Sequence, residues 1–173
     1  MPERDILQAA NEIYADGFGK GDLPMPPGRR LAIVTCMDAR LDPAKFLGLE
    51  EGDAHVIRNA GGLVTEDAIR SLIISHWLTG TQEVAVIAHT DCGMLTFTND
   101  HLHAKLREKV GSDATDIDFR TFPDVDEAVR ASLNAIRESP HLPDSLEISG
   151  WVYDVRSGRL SEVAEVGWPA QLA

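Results

Sequence analysis

Two short apolar runs constrain the fold of this chain more than any other feature. Residues 31–35 read LAIVT and residues 84–88 read VAVIA, so both runs are rich in aliphatic and β-branched side chains. Neither run alternates polar and apolar residues, as a strand with one solvated face would. Continuous apolar runs of this kind are typical of parallel strands that are buried on both faces. The sequence therefore predicts an α/β fold with a mainly parallel central sheet flanked by helices.

The remaining segments complete this sheet. Apolar spacing and capping residues predict four helices, which cover residues 3–14, 43–47, 65–79 and 124–139. Apolar composition and turn signals predict three further strands, which cover residues 54–58, 146–155 and 160–163. The last two strands are joined at a Ser157-Gly158 turn, which predicts a C-terminal antiparallel hairpin or edge strand. Residues 94–122 are polar and irregular, and we expect short helices there.

The length of the chain predicts one domain. A chain of 173 residues can bury a full core without disulfide or metal staples, so we expect residues 1–173 to form a single domain. Within it, we interpret residues 1–22 as an N-terminal helical arm. Residues 23–28 (LPMPPG) are interpreted as a proline-rich linker, because their prolines exclude both a helix interior and a central strand.

The charge balance argues against some classes of partner. Lys and Arg number 16 against 28 Asp and Glu, so the formal net charge is −12. We therefore expect neither nucleic acid nor an anionic membrane as a partner, because no basic patch is present to neutralise phosphates. Neither a secretory signal nor a run of about 20 apolar residues is visible, so a cytoplasmic location is expected.

Both cysteines of the chain lie where the two apolar runs end. Cys36 follows the first run in the segment CMDAR, and Cys92 follows the second in the segment HTDCG, which also contains His89. Ligands of open α/β sheets bind at the carboxyl ends of strands, where neighbouring strands would bring these segments together. Two Cys and one His form a zinc set that leaves a fourth position open for catalysis. The alternatives are buried cysteines that act as small hydrophobic residues, or a disulfide.

Three motifs in register resemble the signature of the β-class carbonic anhydrases. They are CMDAR at residues 36–40, RNAGG at residues 58–62 and HTDCG at residues 89–93, and their order and intervals match as well. The resemblance is strong over residues 30–95 and looser at both ends. The overall shortness, with Met94 directly after the last motif, is similar to the compact archaeal and mycobacterial branch of the family.

This resemblance implies a reaction and roles for individual residues. Cys36, His89 and Cys92 match the zinc ligands, which implies one Zn²⁺ per chain, and Asp38 and Arg40 match the catalytic carboxylate–guanidinium dyad. In some members the residue that matches Asp38 becomes a fourth metal ligand and closes the site. The implied activity is reversible hydration of CO2 to bicarbonate and a proton via zinc-bound hydroxide. The implied assembly is a homodimer or a dimer of dimers, with the N-terminal helix wrapped around the partner subunit.

Other functions stay open on the same residues. The plant-type branch carries an aromatic residue soon after its second motif, whereas residues 61–65 (GGLVT) contain none, which puts the pocket wall and the substrate preference in question. A hydrolase of carbonyl sulfide or carbon disulfide would share the ligands and the attacking group. A non-catalytic zinc or redox-sensing protein is a third alternative, and the presence of Asp38 and Arg40 argues against it.

Further residues near the motifs have candidate roles. Asp38 can orient a water by accepting its hydrogen bond, and the planar fork of Arg40 suits a carboxylate; the alternative is an idle surface salt bridge. His101 and His103 are candidate proton relays, although solvated surface is the simpler interpretation. Asp91 is expected to cap the turn that follows it. Arg58 and Asn59 are expected to brace the loop, and Gly93 is expected to permit a close approach of the backbone beside the metal.

Overall fold

Five strands form the frame of the computed structural model, which describes residues 1–163. They are β1 (Leu31–Cys36), β2 (Ala54–Asn59), β3 (Glu83–His89), β4 (Glu147–Tyr153) and β5 (Leu160–Glu162). The strands form one sheet in the order β2-β1-β3-β4-β5, in which β5 runs antiparallel to β4 and the other pairs are parallel. The predicted α/β fold, with a mainly parallel sheet and an antiparallel C-terminal strand, is confirmed.

Within residues 1–163, five α-helices accompany this sheet. They are α1 (Glu3–Asp16), α2 (Pro43–Leu47), α3 (Glu66–Thr79), α4 (Asn99–Val110) and α5 (Val125–Arg137). Each helix from α2 to α5 begins after a residue whose side chain accepts a hydrogen bond from the backbone N–H three residues on: Asp42, Thr65, Thr98 and Asp124. No helix among these residues is both long and apolar enough to cross a membrane.

Residues 94–122 differ from the prediction of several short helices. The segment contains one helix of 12 residues, α4, after a 3₁₀ turn at Gly93–Leu95. No residue of α4 is buried. The helix therefore has no buried apolar face whose periodicity the sequence could reveal, and its polar composition resembles that of a loop.

The two faces of the sheet are covered by different elements. On one face, alternate residues of β1 and β3 pack against α3 and α5 through Leu72, Val129 and Leu133. On the other face, Ile33 and Ile87 lie under α2 and the short segment that follows it. Because both faces are covered, β1 and β3 lack polar residues at alternate positions.

The register between β1 and β3 determines where the predicted site forms. The two strands are parallel neighbours, with Leu31 opposite Glu83 and Thr35 opposite Ile87. Their carboxyl ends therefore emerge side by side at one edge of the sheet, where Cys36 is the last residue of β1. The buried Thr35 hydroxyl donates to the Ile87 carbonyl at 2.8 Å and ties the strands together just before the loops begin.

The N-terminal helix α1 lies outside the core. None of its residues is buried, and the exposed apolar side chains include Ile6 and Ile13. The Tyr14 hydroxyl donates to the Glu51 carboxylate, which also pairs with Lys20 at 2.8 Å. Polar contacts thus hold α1 and the segment after it against their own chain, while the apolar side chains of α1 stay exposed.

Candidate metal centre

Three buried side chains meet at the carboxyl ends of β1 and β3. Cys36 ends β1, His89 ends β3, and Cys92 follows three residues later in the loop. The two sulfur atoms and one imidazole nitrogen all lie within 4.8 Å of one another. The 3₁₀ turn begins only at Gly93, so a turn that belongs to no helix joins His89 to Cys92, and both side chains are buried.

The imidazole of His89 is oriented as a metal ligand requires. Its Nδ1–H donates to the Thr90 carbonyl at 2.9 Å, which leaves Nε2 as the unprotonated nitrogen of the neutral ring. Nε2 is buried and has no hydrogen-bond partner among residues 1–163. A buried polar atom without a partner costs free energy, so an unpartnered Nε2 needs an explanation. A histidine that binds a metal through one ring nitrogen usually donates a hydrogen bond from the other to a carboxylate, a backbone carbonyl or water. The three side chains therefore fit a metal ion.

The cysteine pair has an uneven affinity for protons. The hydrogen bond from the Cys92 thiol, helped by nearby backbone N–H groups, lowers the pKa of Cys36 against the opposing effect of burial. The pKa of Cys92 is raised by its hydrogen bond to Cys36 and by burial. Burial lowers the pKa of His89. The adjacent Cys36 sulfur, the Thr90 carbonyl and Asp38 together raise it by more than burial lowers it, so the net shift of the pKa is upward. A coordinated thiol is deprotonated outright, so a divalent cation would make both sulfurs thiolates.

Asp38 and Arg40 form a bidentate ion pair beside these proposed ligands. Asp38 Oδ1 accepts hydrogen bonds from the Arg40 Nε at 3.0 Å and backbone N at 2.9 Å, and Oδ2 accepts from Nη2 at 2.8 Å. The guanidinium holds the pKa of Asp38 well below its usual range. Asp38 Oδ2 nevertheless lies 3.8 Å from Nε2 of His89. The carboxylate is thus bound to Arg40 while it borders the cluster.

Asp91 binds Arg40, and the prediction that it caps the following turn is wrong. Its carboxylate Oδ2 accepts a hydrogen bond from Arg40 Nη1 at 2.7 Å, and its backbone carbonyl accepts from Nη2 at 2.9 Å. The 3₁₀ turn after it has no side-chain cap. A nearby guanidinium offers a carboxylate a stronger, charge-assisted partner than a backbone N–H does.

The loops around the cluster are held by β2 and the turn that follows it. Arg58 donates from Nε to the Cys36 carbonyl at 3.0 Å and from Nη2 to the Asp38 carbonyl at 2.8 Å, so it braces the loop that follows β1. The close backbone approach expected at Gly93 occurs at Gly62 instead. A Cβ at Gly62 would lie 2.7 Å from the Cys36 nitrogen, whereas one at Gly93 would meet no atom within 4 Å.

A cleft of about 440 Å³ opens onto the cluster. Cys36, Asp38 and Cys92 lie in its wall, and most of the remaining lining is apolar. Phe97 and Phe119 contribute aromatic rings to that wall. The lack of aromatic residues in residues 61–65 therefore does not leave the cleft without them, because the segment after Cys92 and the loop after α4 provide them.

Comparisons with known proteins agree with this geometry. The sequence model of the carbonic anhydrase family matches residues 31–160. The curated β-carbonic anhydrase 1 of Mycobacterium tuberculosis is 49% identical over 163 residues, which are 94% of this chain and 99% of that protein. The chain belongs to the β-carbonic anhydrase family. The resemblance predicted from its three motifs is confirmed.

Two further proteins place the chain within the β-carbonic anhydrase family. The crystal structure of carbonic anhydrase from Streptococcus mutans is 48% identical and superposes with a TM-score of 0.91, covering 95% of this chain and 99% of that one. A carbon disulfide hydrolase of Acidithiobacillus thiooxidans is 36% identical over 155 residues, which are 79% of this chain and 78% of the hydrolase. This β-carbonic anhydrase family member is therefore more similar to the two carbonic anhydrases than to this hydrolase.

In this β-carbonic anhydrase family member, the predicted site residues fall into two groups. Five of them converge at one edge of the sheet: Cys36, Asp38, Arg40, His89 and Cys92. The candidate relays His101 and His103 lie on α4, and neither is among the described residues that line the cleft. The Nε2–H of His103 donates to the Ile117 carbonyl at 2.8 Å, a structural contact.

The sequence interpretation missed the aromatic wall and the second partner of Arg40. Phe97 lies five residues after Cys92, and its closeness to a ligand motif was a signal for the wall. Phe119 is far from any motif, and only the fold brings it to the cleft. Asp91 gave an ambiguous signal, since an aspartate in a loop is more often a cap.

Proposed function

We propose that this protein is a zinc-dependent carbonic anhydrase that catalyses the reversible hydration of CO2 to bicarbonate and a proton. The observation that carries the proposal is the unpartnered Nε2 of His89 beside two cysteines, with an Asp38–Arg40 pair at the border of the cluster. Cys36, His89 and Cys92 would hold one Zn²⁺ per chain, because two sulfurs and an imidazole form a set that zinc prefers. Membership of the β-carbonic anhydrase family supports the same assignment.

The residues around the ligands have separate tasks. A zinc ion bound there supplies a Lewis acid that makes water a nucleophile near neutral pH. Asp38 accepts a hydrogen bond from a water beside the ligands and so orients it toward the substrate. Arg40 holds Asp38 away from the ligands through its bonds to both carboxylate oxygens. The space beside the ligands that Asp38 would otherwise occupy is thereby left to water.

The apolar wall of the cleft favours a small uncharged substrate over an ionic one. Phe97, Leu102 and Phe119 offer no charged group to bind an anion, which favours entry of CO2 and release of bicarbonate. Carbonyl sulfide and carbon disulfide have the same linear, apolar character. A hydrolase of these compounds is thus the second candidate, supported by the 36% identity to a carbon disulfide hydrolase.

Parallel assays on one preparation separate the two candidates. The zinc-containing protein is given CO2, carbonyl sulfide and carbon disulfide in turn, and zinc content is measured on the same sample. We expect rapid CO2 hydration and much slower release of hydrogen sulfide from the sulfur compounds. Sulfide release that outpaces CO2 hydration would assign the hydrolase function instead. Zinc without either activity would favour the third candidate, a non-catalytic zinc or redox-sensing protein.

A homodimer, or a dimer of dimers, is the assembly that we propose. The apolar side chains of α1 are exposed, and the sheet face opposite α3 and α5 carries an apolar groove of about 250 Å³. Leu47, Leu49 and Trp151 lie in the wall of this groove. The apolar side chains of α1 on one chain can cover the groove on a second copy, which removes both from water.

The remaining proposals concern organisation and location. A single domain over residues 1–173, with an arm at 1–22 and a linker at 23–28, stays a proposal that extends beyond the described residues. A cytoplasmic location is proposed because both cysteines are free, and a reducing compartment would keep them available as ligands. The partner is a small molecule; the net charge of −12 argues against nucleic acid and anionic membranes.

A further inference from the structure

The guanidinium of Arg40 is shared between two carboxylates on different loops. Its Nε and Nη2 atoms donate to Asp38, which lies in the loop after β1. Its Nη1 atom donates to the Asp91 carboxylate at 2.7 Å, and Nη2 also donates to the Asp91 carbonyl at 2.9 Å. Arg40 therefore joins the loop that follows Cys36 to the loop between His89 and Cys92.

Asp91 makes these contacts from an unusual backbone conformation. Its φ is 56°, in the left-handed region that costs most residues free energy and that Asp and Asn tolerate better than others. The residue presents both its carboxylate and its carbonyl to the same guanidinium, and it lies between two of the three proposed ligands. Burial does not hold the side chain in place, because it is 65% exposed.

Two opposite effects of Asp91 on the Asp38–Arg40 pair can be compared. Its negative charge competes with Asp38 for the guanidinium, which would loosen the pair. Its hydrogen bonds also fix the Nη1/Nη2 edge of Arg40, which leaves the Nε/Nη2 edge facing Asp38. Because this pair is exposed, screening by solvent makes the charge effect small. A small error in orientation at a reacting group can lower the rate about 10²-fold, so the orienting effect is the larger one.

We propose that Asp91 is a positioning residue. It anchors the Arg40 guanidinium to the loop between His89 and Cys92, so that Arg40 keeps its Nε edge toward Asp38. Without the anchor, the half-exposed guanidinium turns toward solvent and Asp38 loses a fixed partner. Asp38 Oδ2, already 3.8 Å from Nε2 of His89, then moves toward the ligand cluster. The anchoring stands on geometry alone, and its kinetic consequence rests on the function proposed above.

Two substitutions test the anchor without straining the backbone. Asp91→Asn keeps a side-chain acceptor and a residue type that tolerates a positive φ. Asp91→Gly removes the carboxylate, adopts the positive φ without steric strain and keeps only the backbone carbonyl as an acceptor for Arg40. In the zinc-containing protein, NMR reports the rotation of the Arg40 guanidinium about its Cζ–Nε bond, with the signals assigned by their loss in Arg40→Lys. We expect separate Nη signals in the wild type, faster exchange between them in Asp91→Asn and the fastest exchange in Asp91→Gly.

The kinetic readout and a matched control complete the test. We expect kcat/KM for CO2 hydration to fall about tenfold in Asp91→Gly and less in Asp91→Asn, at unchanged zinc content. Asp113→Asn breaks another exposed Asp–Arg pair, with Arg107 at 3.2 Å, and should change neither readout.

The outcomes distinguish the anchor from the function. Unchanged Nη signals in both Asp91 variants overturn the anchor, whatever the activity. Faster exchange of these signals with unchanged kcat/KM overturns the role of the anchor in catalysis. A wild-type protein that lacks CO2 hydration overturns the proposed function, while the NMR comparison still decides whether Asp91 anchors Arg40.

Discussion

Asp38 stands between two competing partners at the candidate site. Its oxygens accept three hydrogen bonds from Arg40, yet Oδ2 lies within 3.8 Å of the unpartnered His89 nitrogen. Carboxylate oxygen is an acceptable zinc ligand, so Asp38 can bind the metal whenever the guanidinium releases it. We therefore propose that Arg40 decides whether the fourth ligand position of a bound zinc ion stays open to water.

Replacing Arg40 tests this role directly. In Arg40→Ala we expect zinc to stay bound and CO2 hydration to be lost, because Asp38 becomes a fourth ligand. Asp38→Asn should also lose activity, by losing the orientation of water while its ligation weakens. The measurement is zinc content beside stopped-flow CO2 hydration, with Arg70→Ala as control for an exposed arginine paired with an aspartate far from the site. Wild-type turnover of Arg40→Ala at pH 8.5 would show that the pair has no catalytic role.

The low pKa of Asp38 excludes this carboxylate as the group that sets the pH dependence of activity. Hydrogen bonds from Arg40 hold that pKa well below its usual range, so Asp38 is ionised throughout the neutral region and its protonation cannot limit the rate there. We expect activity to rise from about pH 7 to 8.5, as water at the metal site ionises. Initial rates between pH 6.5 and 9 measure this. A limb that falls across the same window would contradict it.

The sequence predicts the three clustered side chains better than their surroundings, for a physical reason. Cys36, His89 and Cys92 could be predicted because each is of a rare type at the end of a buried run. The Asp91–Arg40 contact could not, because it depends on the positive φ of Asp91 and on how two loops meet. The ion-pair partner of a loop aspartate is set by the tertiary fold and not by spacing along the chain.

At the scale of elements, the 60–62 turn packs directly against the end of β1. Gly62 has a φ of +67°, and a Cβ there would lie 2.7 Å from the Cys36 nitrogen and 2.8 Å from the Thr35 carbonyl carbon. Both neighbours are backbone atoms of a central strand, so they cannot move aside without displacing a proposed ligand.

Substituting this glycine should therefore affect both stability and metal binding. We expect Gly62→Ala to lower the free energy of unfolding by about 2 kcal/mol or more and to reduce zinc content. Gly80→Ala is the matched control: its φ is +78°, but a Cβ there meets no atom within 4 Å. Its cost should be about 1–2 kcal/mol from backbone strain alone, with zinc retained. Equal losses in the two variants, measured by urea denaturation, would contradict the steric account.

Elements with a buried face could be predicted from sequence, and α4 could not. The strands β1 and β3 and the helix α5 carry apolar residues at the period of their secondary structure, because each faces the core. Helix α4 has no buried residue, and it begins at a Thr98 cap that a polar loop could equally contain. Its position over the cleft is a consequence of the fold.

At the scale of the whole molecule, a single chain leaves the apolar side chains of α1 exposed. The proposed dimer would cover it, so deletion of residues 1–22 should shift the protein toward smaller species. Analytical ultracentrifugation at several concentrations measures this shift. By mass action, the fraction of dimer should fall more at low protein concentration. A full-length protein that sediments as a monomer at micromolar concentration would overturn the proposed assembly.

The central claim is that Cys36, His89 and Cys92 hold the zinc ion on which activity depends, and the zinc content of Cys92→Ser tests it most directly. Serine keeps the size of the side chain but replaces a thiolate by a hard oxygen that zinc binds less well. We predict about one zinc per chain in the wild type, and loss of most of the metal together with CO2 hydration in the variant. Zinc retained at the wild-type stoichiometry in Cys92→Ser would contradict the account.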